Sequence, residues 1–578
     1  MMRLIAIVSL MVLLSACAAG GPGNRGYQDV RMASSADMQL TAKDLAAAHY
    51  LKGLVAHDRG DIARATGEMS RAVALDPDDP RPHAHLVQLH IRAGSLEAAL
   101  SETLELVRLE PEDIEHRVLL ASLYVSLDRH DSAIEEYVNV LARSPNREDA
   151  LVQLGSLYNR KGDYAKAVST LEQAAQVQPD SLIANFYLGR SYALARMHEQ
   201  SLDAYRRALR LDQSSDQIHL EMGFVYEQQE RRDRAIESYQ KALELNRHSL
   251  PARRRLGAIY VAEGKLDDAI AQYESLVGLE EDPLDTQTKI GLISLQKGDF
   301  DRAAMEFNIV LGARPQDYAV RYYLAATYHE LGDIDGAERE FKSIPASSPR
   351  FAEARLQLVQ LLRENGSMRE AVRTAENLLD ALPENPDVHI VLVGLYREEK
   401  RFDRAIEVAK GLVELEPESD RYLFSLAALY DEAELKSEAV VLLRRVIALN
   451  PDNGAALNYL GYTFAELGEN LDEAEALVRK ALVLHPNDGF FIDSLGWIFY
   501  QRGDYPAAVT ELERAASLAG SDPVISEHLA DAYRETDRNE EALRIYRDCE
   551  ARTDDGKQRS RVQRKIKDLT GQPAVEPL

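Results

Sequence analysis

The sequence predicts an all-α protein, a solenoid of about fifteen helical hairpins. Three observations carry this. Ala65, Ala99, Ala133 and Ala167 stand 34 residues apart, and after Ser201 the step continues through Ala235, Ala269, Ala303, Ala337, Ala371, Ala405 and Ala439. One extra residue enters before Ala474, and Ala508 and Ala542 resume the period. Gly60, Gly94, Gly162, Gly264, Gly298, Gly332, Gly366, Gly468 and Gly503 mark one register, and prolines from Pro77 to Pro486 close repeats in another. Between these marks apolar residues recur at helical spacing. Such a chain is a long binding surface rather than a pocket with chemistry in it.

The chain begins MMRLIAIVSLMVLLSAC. Arg3 gives a positive start, and Leu4 to Leu14 is apolar but too short for an ordinary spanning helix. Leu14-Ser15-Ala16-Cys17 resembles the lipobox of bacterial lipoproteins, which implies cleavage before Cys17 and lipid on that residue. A plain secretory signal cut elsewhere is the other reading. Residues 1–16 are thus expected to be a signal peptide and 17–40 a lipidated Cys with a flexible tether rich in Ala, Gly and polar residues. A tether of about 22 residues spans roughly 25 Å. Ala18 follows the Cys, where an Asp retains many lipoproteins at the inner membrane, so the resemblance favours the outer membrane, facing the periplasm.

Residues 41–556 carry the repeats. In 148–181, Leu151, Leu154, Leu157 and Tyr158 form one helical stripe. Gly162 is suited to the left-handed conformation that ends a helix, and Asp163 caps the next. Ala167, Val168, Leu171, Ala174 and Ala175 form a second stripe, and Pro179 closes the hairpin. Leu-Gly pairs such as Leu154-Gly155 and Leu188-Gly189 let helices approach, and Tyr158, Tyr192, Tyr226 and Tyr260 fill the gaps between neighbours. Irregular places are expected at Pro283, at Pro345, which should shorten a second helix, and at GENLDEA, where the extra residue lengthens a turn.

Each hairpin leaves an apolar face until the next covers it, so the end needs a cap. Residues 557–570 supply one, with Val562, Ile566 and Leu569 on one face. This is also the basic stretch of an acidic chain, so contact with anionic lipid or an acidic partner is the second reading. Residues 571–578 are expected to be a disordered tail.

The charge of -27 disfavours a phosphate backbone, so nucleic acid is excluded as a partner. Cys17 and Cys549 are the two cysteines, too few for a disulfide framework or a cysteine zinc site. No GxxxxGK[ST], HExxH, CxxC or GxSxG occurs, so no catalytic residue and no cofactor is assigned. His83 and His90 share a helical face but occupy packing positions, so packing rather than metal binding is expected. Cys549 parallels Ala515 and Ala481 and is expected to be buried.

The 34-residue hairpin with this Leu-Gly, Tyr, Ala and Pro punctuation resembles the tetratricopeptide repeat family over about residues 46 to 556. The resemblance implies a right-handed superhelix with first helices on its concave side. It further implies that the second, fifth, ninth, twelfth and thirteenth side chains of each repeat face the groove. Tyr50, Phe186, Arg190, Leu220, Phe224, Arg254, Tyr322, Phe424, Asn458, Tyr462, Phe490, Asp493, Trp497 and Tyr500 fall among them. Aromatic residues there make interface anchors. For Trp497 and Phe490 packing between helices or against the cap is an equal reading. The Lys and Asn pair with which some members clamp a chain-end carboxylate is missing: Asn458 is followed by Tyr462, and Arg254 by Ala258.

The length, the lipobox and the run LNYLGYTFAELGENLDEAEALVRKAL followed by FFIDSLGWIFYQRGDYPAAVTELERA resemble the large tetratricopeptide lipoproteins of proteobacteria. Adaptors of the LbcA type in that group, and the smaller NlpI type with a shorter repeat array, recruit carboxy-terminal processing proteases. The resemblance implies a non-catalytic periplasmic scaffold, held to a membrane by lipid and binding proteins, among them such a protease and its substrates. The rival expectation is an assembly scaffold for an exopolysaccharide, pilus or outer-membrane export machine.

Overall fold

The computed structural model describes residues 41–520 and 522–571. Cys17, the signal segment, the tether and residues 572–578 lie outside the described residues. Among the described residues there are thirty-one helices and no strand. Thirty of them pair into fifteen hairpins, from Ala42–Asp58 with Ile62–Leu75 to Pro523–Glu535 with Asn539–Arg552, and Gly556–Thr570 follows alone. We number the hairpins as repeats 1 to 15.

All fifteen hairpin turns contain a left-handed residue. The nine glycines of the sequence register occupy nine of them with φ from 68° to 82°. Gly162, at φ 80°, ends Glu148–Lys161, and the Asp163 carboxylate accepts from the Lys166 N–H to start Tyr164–Val177. The other six turns use Asp128, Arg196, Glu230, Lys400, Glu434 and Asp537 at φ from 56° to 63°. The inserted residue lengthens one turn as expected: Gly468 and Asn470 are both left-handed between Gly454–Leu467 and Leu471–Leu484. The second helix of repeat 9, Ile334–Lys342, is cut to 9 residues ahead of Pro345.

The periodic alanines are fully buried where second helices meet their neighbours. The Leu-Gly pairs work by contact. A Cβ on Gly223 would lie 2.4 Å from the Tyr239 ring, so this glycine lets the tyrosine lie flat against the first helix.

The described residues fall into two compact units, divided between residues 293 and 294 inside Leu284–Lys297. In the first unit a continuous apolar cluster runs from Leu202 to Ile293 through successive hairpins. In the second, one cluster runs from Ala325 to Leu429 and another from Leu423 to Ile498.

Polar clasps repeat with the same period. His83 lies 2.6 Å from the Glu102 carboxylate and 3.1 Å from the Pro77 carbonyl, which fixes it as a packing residue. Arg321 does the same with Glu340 and with the Pro315 carbonyl at 2.7 Å. A second clasp joins adjacent hairpins: the Tyr192 hydroxyl donates to Glu172 at 2.5 Å and the Tyr533 hydroxyl to Glu513 at 2.8 Å. Each satisfies groups that burial would otherwise penalise by about 1–3 kcal/mol.

Candidate protein-binding face

The first helices of the hairpins carry all the residues placed on the groove by the repeat register. In the first unit Tyr50 is half-buried, edge-on to His85 at 5.4 Å and under the Arg81 guanidinium. Phe186 packs on Tyr187 and Tyr205, and Phe224 packs on Tyr239 with the Arg255 guanidinium 4.5 Å above it. Arg190 is half-buried. Arg254 is exposed but committed, donating to Glu280 at 2.6 Å. Leu220, expected on the groove, is 6% exposed and belongs to the core. The fifth position there meets the neighbouring hairpin instead of solvent.

In the second unit Tyr322 is half-buried between Tyr323 and Phe341, with Arg350 over its ring. Burial and the nearby Glu353 push its hydroxyl up to about 12. Phe424 packs on Tyr459 at 5.9 Å. Asn458 is half-buried, and its Oδ1 takes no hydrogen bond from the described residues. Burial, with Glu466 and Asp493 nearby, drives the Tyr462 hydroxyl far above its ordinary value. Phe490 is 57% exposed and Val524, 34 residues on, is 44% exposed. Both are apolar side chains open to solvent on the first helices of this stretch.

Asp493 is held inside the array, and Trp497 is half-buried. Trp497 stacks on Tyr500 at 4.6 Å and on His528 at 4.1 Å, with interplanar angles of 6° and 16°. Two rings so close and so parallel do not fit side by side on one face, so both faces of the indole are covered. Asp493 is 4% exposed, and the His528 Nδ1 lies 3.0 and 3.1 Å from its two oxygens. The sequence leaves packing and groove exposure open for both residues; in the structure Trp497 is half-buried under two rings and Phe490 is exposed. Tyr500 is half-buried, and its hydroxyl is pushed up to about 12, first by burial and then by Asp531 and Glu535.

The register missed a cluster of charges behind this stack. Glu527 and Asp531, at 3% and 4% exposure, lie under Gly556–Thr570. Arg561 donates to Glu527 at 2.6 and 2.8 Å, and Lys565 bridges Glu527 and Asp531 at 2.7 and 2.6 Å. The Tyr546 hydroxyl also donates to Asp531. Burial alone would raise the Glu527 carboxyl, but Arg561, Lys565 and Gln558 hold it down at about 2. The last helix therefore lays these two cations over the buried carboxylates, Arg561 half-exposed and Lys565 more covered, while Val562 is fully buried and Ile566 and Leu569 pack on the core. A signal was available. Arg561 and Lys565 stand 34 residues after Glu527 and Asp531, continuing the fifth and ninth positions into a helix without a hairpin partner.

Cys549 is 1% exposed, its thiol donates to the Pro523 carbonyl, and burial pushes it up to about 11. Such a thiol is a packing group at neutral pH. Glu110, Asp113 and His116 form the one close His–carboxylate trio found among the described residues, with His116 Nδ1 3.4 Å from Glu110. Asp113 is already the cap of Ile114–Ser126.

These features define a helical-repeat scaffold for binding other proteins. Family models described as tetratricopeptide repeat match residues 56–123, 227–284, 294–362 and 362–430, residues 152–216, 424–489 and 494–556, and residues 117–147. The chain belongs to the tetratricopeptide repeat family. No curated protein matches the sequence. Similar solved structures include MamA, 25% identical over 28% of this chain and 95% of that one, TM-score 0.27. A tetratricopeptide repeat protein from Parabacteroides merdae is 16% identical over 44% and 99%, TM-score 0.37. Yeast Tom70 is 15% identical over 73% and 96%, TM-score 0.31.

Proposed function

We propose that the protein is a non-catalytic scaffold, anchored by lipid on Cys17 and facing the periplasm, that recruits a carboxy-terminal processing protease to its substrates. The observation that carries the scaffold reading is the run of fifteen hairpins whose first helices keep aromatic rings such as Tyr322 half-open and Phe490 open. Several weak contacts along such a face add through effective concentration, and an anchor confines the partner to one membrane. The lipobox-like Leu14 to Cys17 supports the anchor, and the closing run from Leu457 to Ala515 supports the adaptor role.

Affinity isolation from detergent-solubilised envelopes tests both. The full chain should recover a processing protease together with its substrates, and a Tyr322→Ala, Phe490→Ala variant should recover less. Recovery of export or polysaccharide components instead would establish the assembly scaffold. Cys17→Ser should move the protein from the membrane to the soluble fraction; retention at the membrane would remove the lipid anchor from the reading.

A further inference from the structure

The contact between repeats 14 and 15 holds a titratable group that the scaffold reading does not use. His528 lies on Pro523–Glu535 at 7% exposure, against Gly489–Gln501. Asp493 faces its Nδ1 from that neighbouring helix, and Trp497 lies flat on its ring. Tyr462, on Gly454–Leu467, comes within 6.2 Å of the imidazole. On its own helix Glu527 and Asp531 add negative field, but their cations, Arg561 and Lys565 of the last helix, are bonded to them and not to Asp493. Tyr546, on Asn539–Arg552, is likewise committed to Asp531. Asp493 has no other salt-bridge partner among the described contacts.

We propose that the His528–Asp493 pair, with Trp497 stacked on it, is a proton-operated clasp that holds repeat 15 against repeat 14 and loosens it when the imidazolium loses its charge. A buried carboxylate facing an imidazolium is compensated, whereas facing a neutral imidazole it keeps a hydrogen bond and loses the charge. Burial by itself lowers the His528 value, but Asp493, Asp531 and Glu527 outweigh it and raise the value above that of an ordinary histidine. The clasp is therefore fully closed below about 6.5 and opens as pH rises through the higher folded value. This stands on the geometry of the pair and is independent of the partner or the membrane.

Trp497 is the only tryptophan, so its emission reports this contact alone. A protonated imidazole in van der Waals contact quenches indole emission. The intact protein should therefore brighten in one step as pH rises, with a midpoint above about 6.5. Asp493→Asn should lower the midpoint by about one unit or more. His528→Gln should abolish the step. After correction for intrinsic rates, amide exchange in 523–535 should speed up about tenfold across the same step, relative to 148–177. A step that survives in His528→Gln, a midpoint at or below the ordinary value, or exchange in 523–535 indifferent to pH would overturn the clasp. If His528→Gln fails to fold by far-ultraviolet circular dichroism, the shift in Asp493→Asn decides alone.

Discussion

The first and last described helices treat their surfaces in opposite ways. Ala42–Asp58 leaves apolar side chains outside, with Leu51 60% and Val55 51% exposed. Gly556–Thr570 instead covers charges with charges, seating the half-exposed Arg561 and the half-buried Lys565 on the buried Glu527 and Asp531. The contrast shows that closing a repeat array requires a matched surface, not an apolar one. The last helix carries buried Val562 and packed Ile566 and Leu569, and still needs its cations, because the hairpin beneath presents two carboxylates. A buried pair of this kind contributes little net stability against an apolar substitute, but breaking it is costly.

The contrast is broken most strongly by Glu527→Ala, which takes the carboxylate from Arg561 and leaves Lys565 to Asp531 alone. We expect a loss of about 2–3 kcal/mol from the last repeat and last helix, read by chemical denaturation together with exchange in 523–570. A loss below about 1 kcal/mol would mean that apolar packing closes this end unaided. Acid should act the same way. The Glu527 carboxyl is held at about 2 against an ordinary 4.5. Its contribution, on the order of 3 kcal/mol, is present above about 4.5 and disappears as pH falls toward 2. An acid unfolding curve of Glu527→Gln should lack that component.

Two glycines sharpen the comparison. A Cβ on Gly489 would lie 2.9 Å from the Ala519 backbone nitrogen, which has little room to move. On Gly53 the nearest atom, also at 2.9 Å, is the end of the flexible Met69 side chain. Gly489→Ala should therefore cost about 1–3 kcal/mol and Gly53→Ala clearly less, as compared by thermal unfolding. The smallest effect is expected for Leu51→Glu, within about 0.5 kcal/mol of the parent, since its side chain touches solvent. A larger loss would show that this face is covered in solution, and sedimentation at several concentrations would tell self-association from a fold effect.

Much of the fold was legible because a period of 34 repeats each local rule. Turn glycines, closing prolines and buried alanines each repeat many times, and Pro345 and the extra residue of GENLDEA act as local chemistry dictates. The face was less legible. A repeat register tells which way a side chain leaves its helix, but not whether a neighbour reaches it first. Trp497 and Phe490 occupy groove positions of the same helix; His528 from the next hairpin covers one, and nothing described covers the other. The charges under the last helix are hidden when KQRSRVQRKIKDL is read only for its apolar capping face, since two of its cations continue the fifth- and ninth-position register of Glu527 and Asp531. Side-chain clasps such as His83 with Glu102 join residues 19 apart, beyond the reach of single-helix spacing rules.

Six of the fifteen hairpin turns have no left-handed glycine and place another residue there, among them Arg196, Glu230 and Lys400. Each such residue resists that conformation by about 1–2 kcal/mol, part of which glycine would return through its freer unfolded chain. A net gain of about 0.5–1 kcal/mol per turn remains, and substitutions in separate repeats should add. The protein thus carries an unused margin of heat tolerance at sites remote from its helical faces. It is a scaffold whose melting point can be raised stepwise by rewriting its turns while every surface it offers to a partner stays the same.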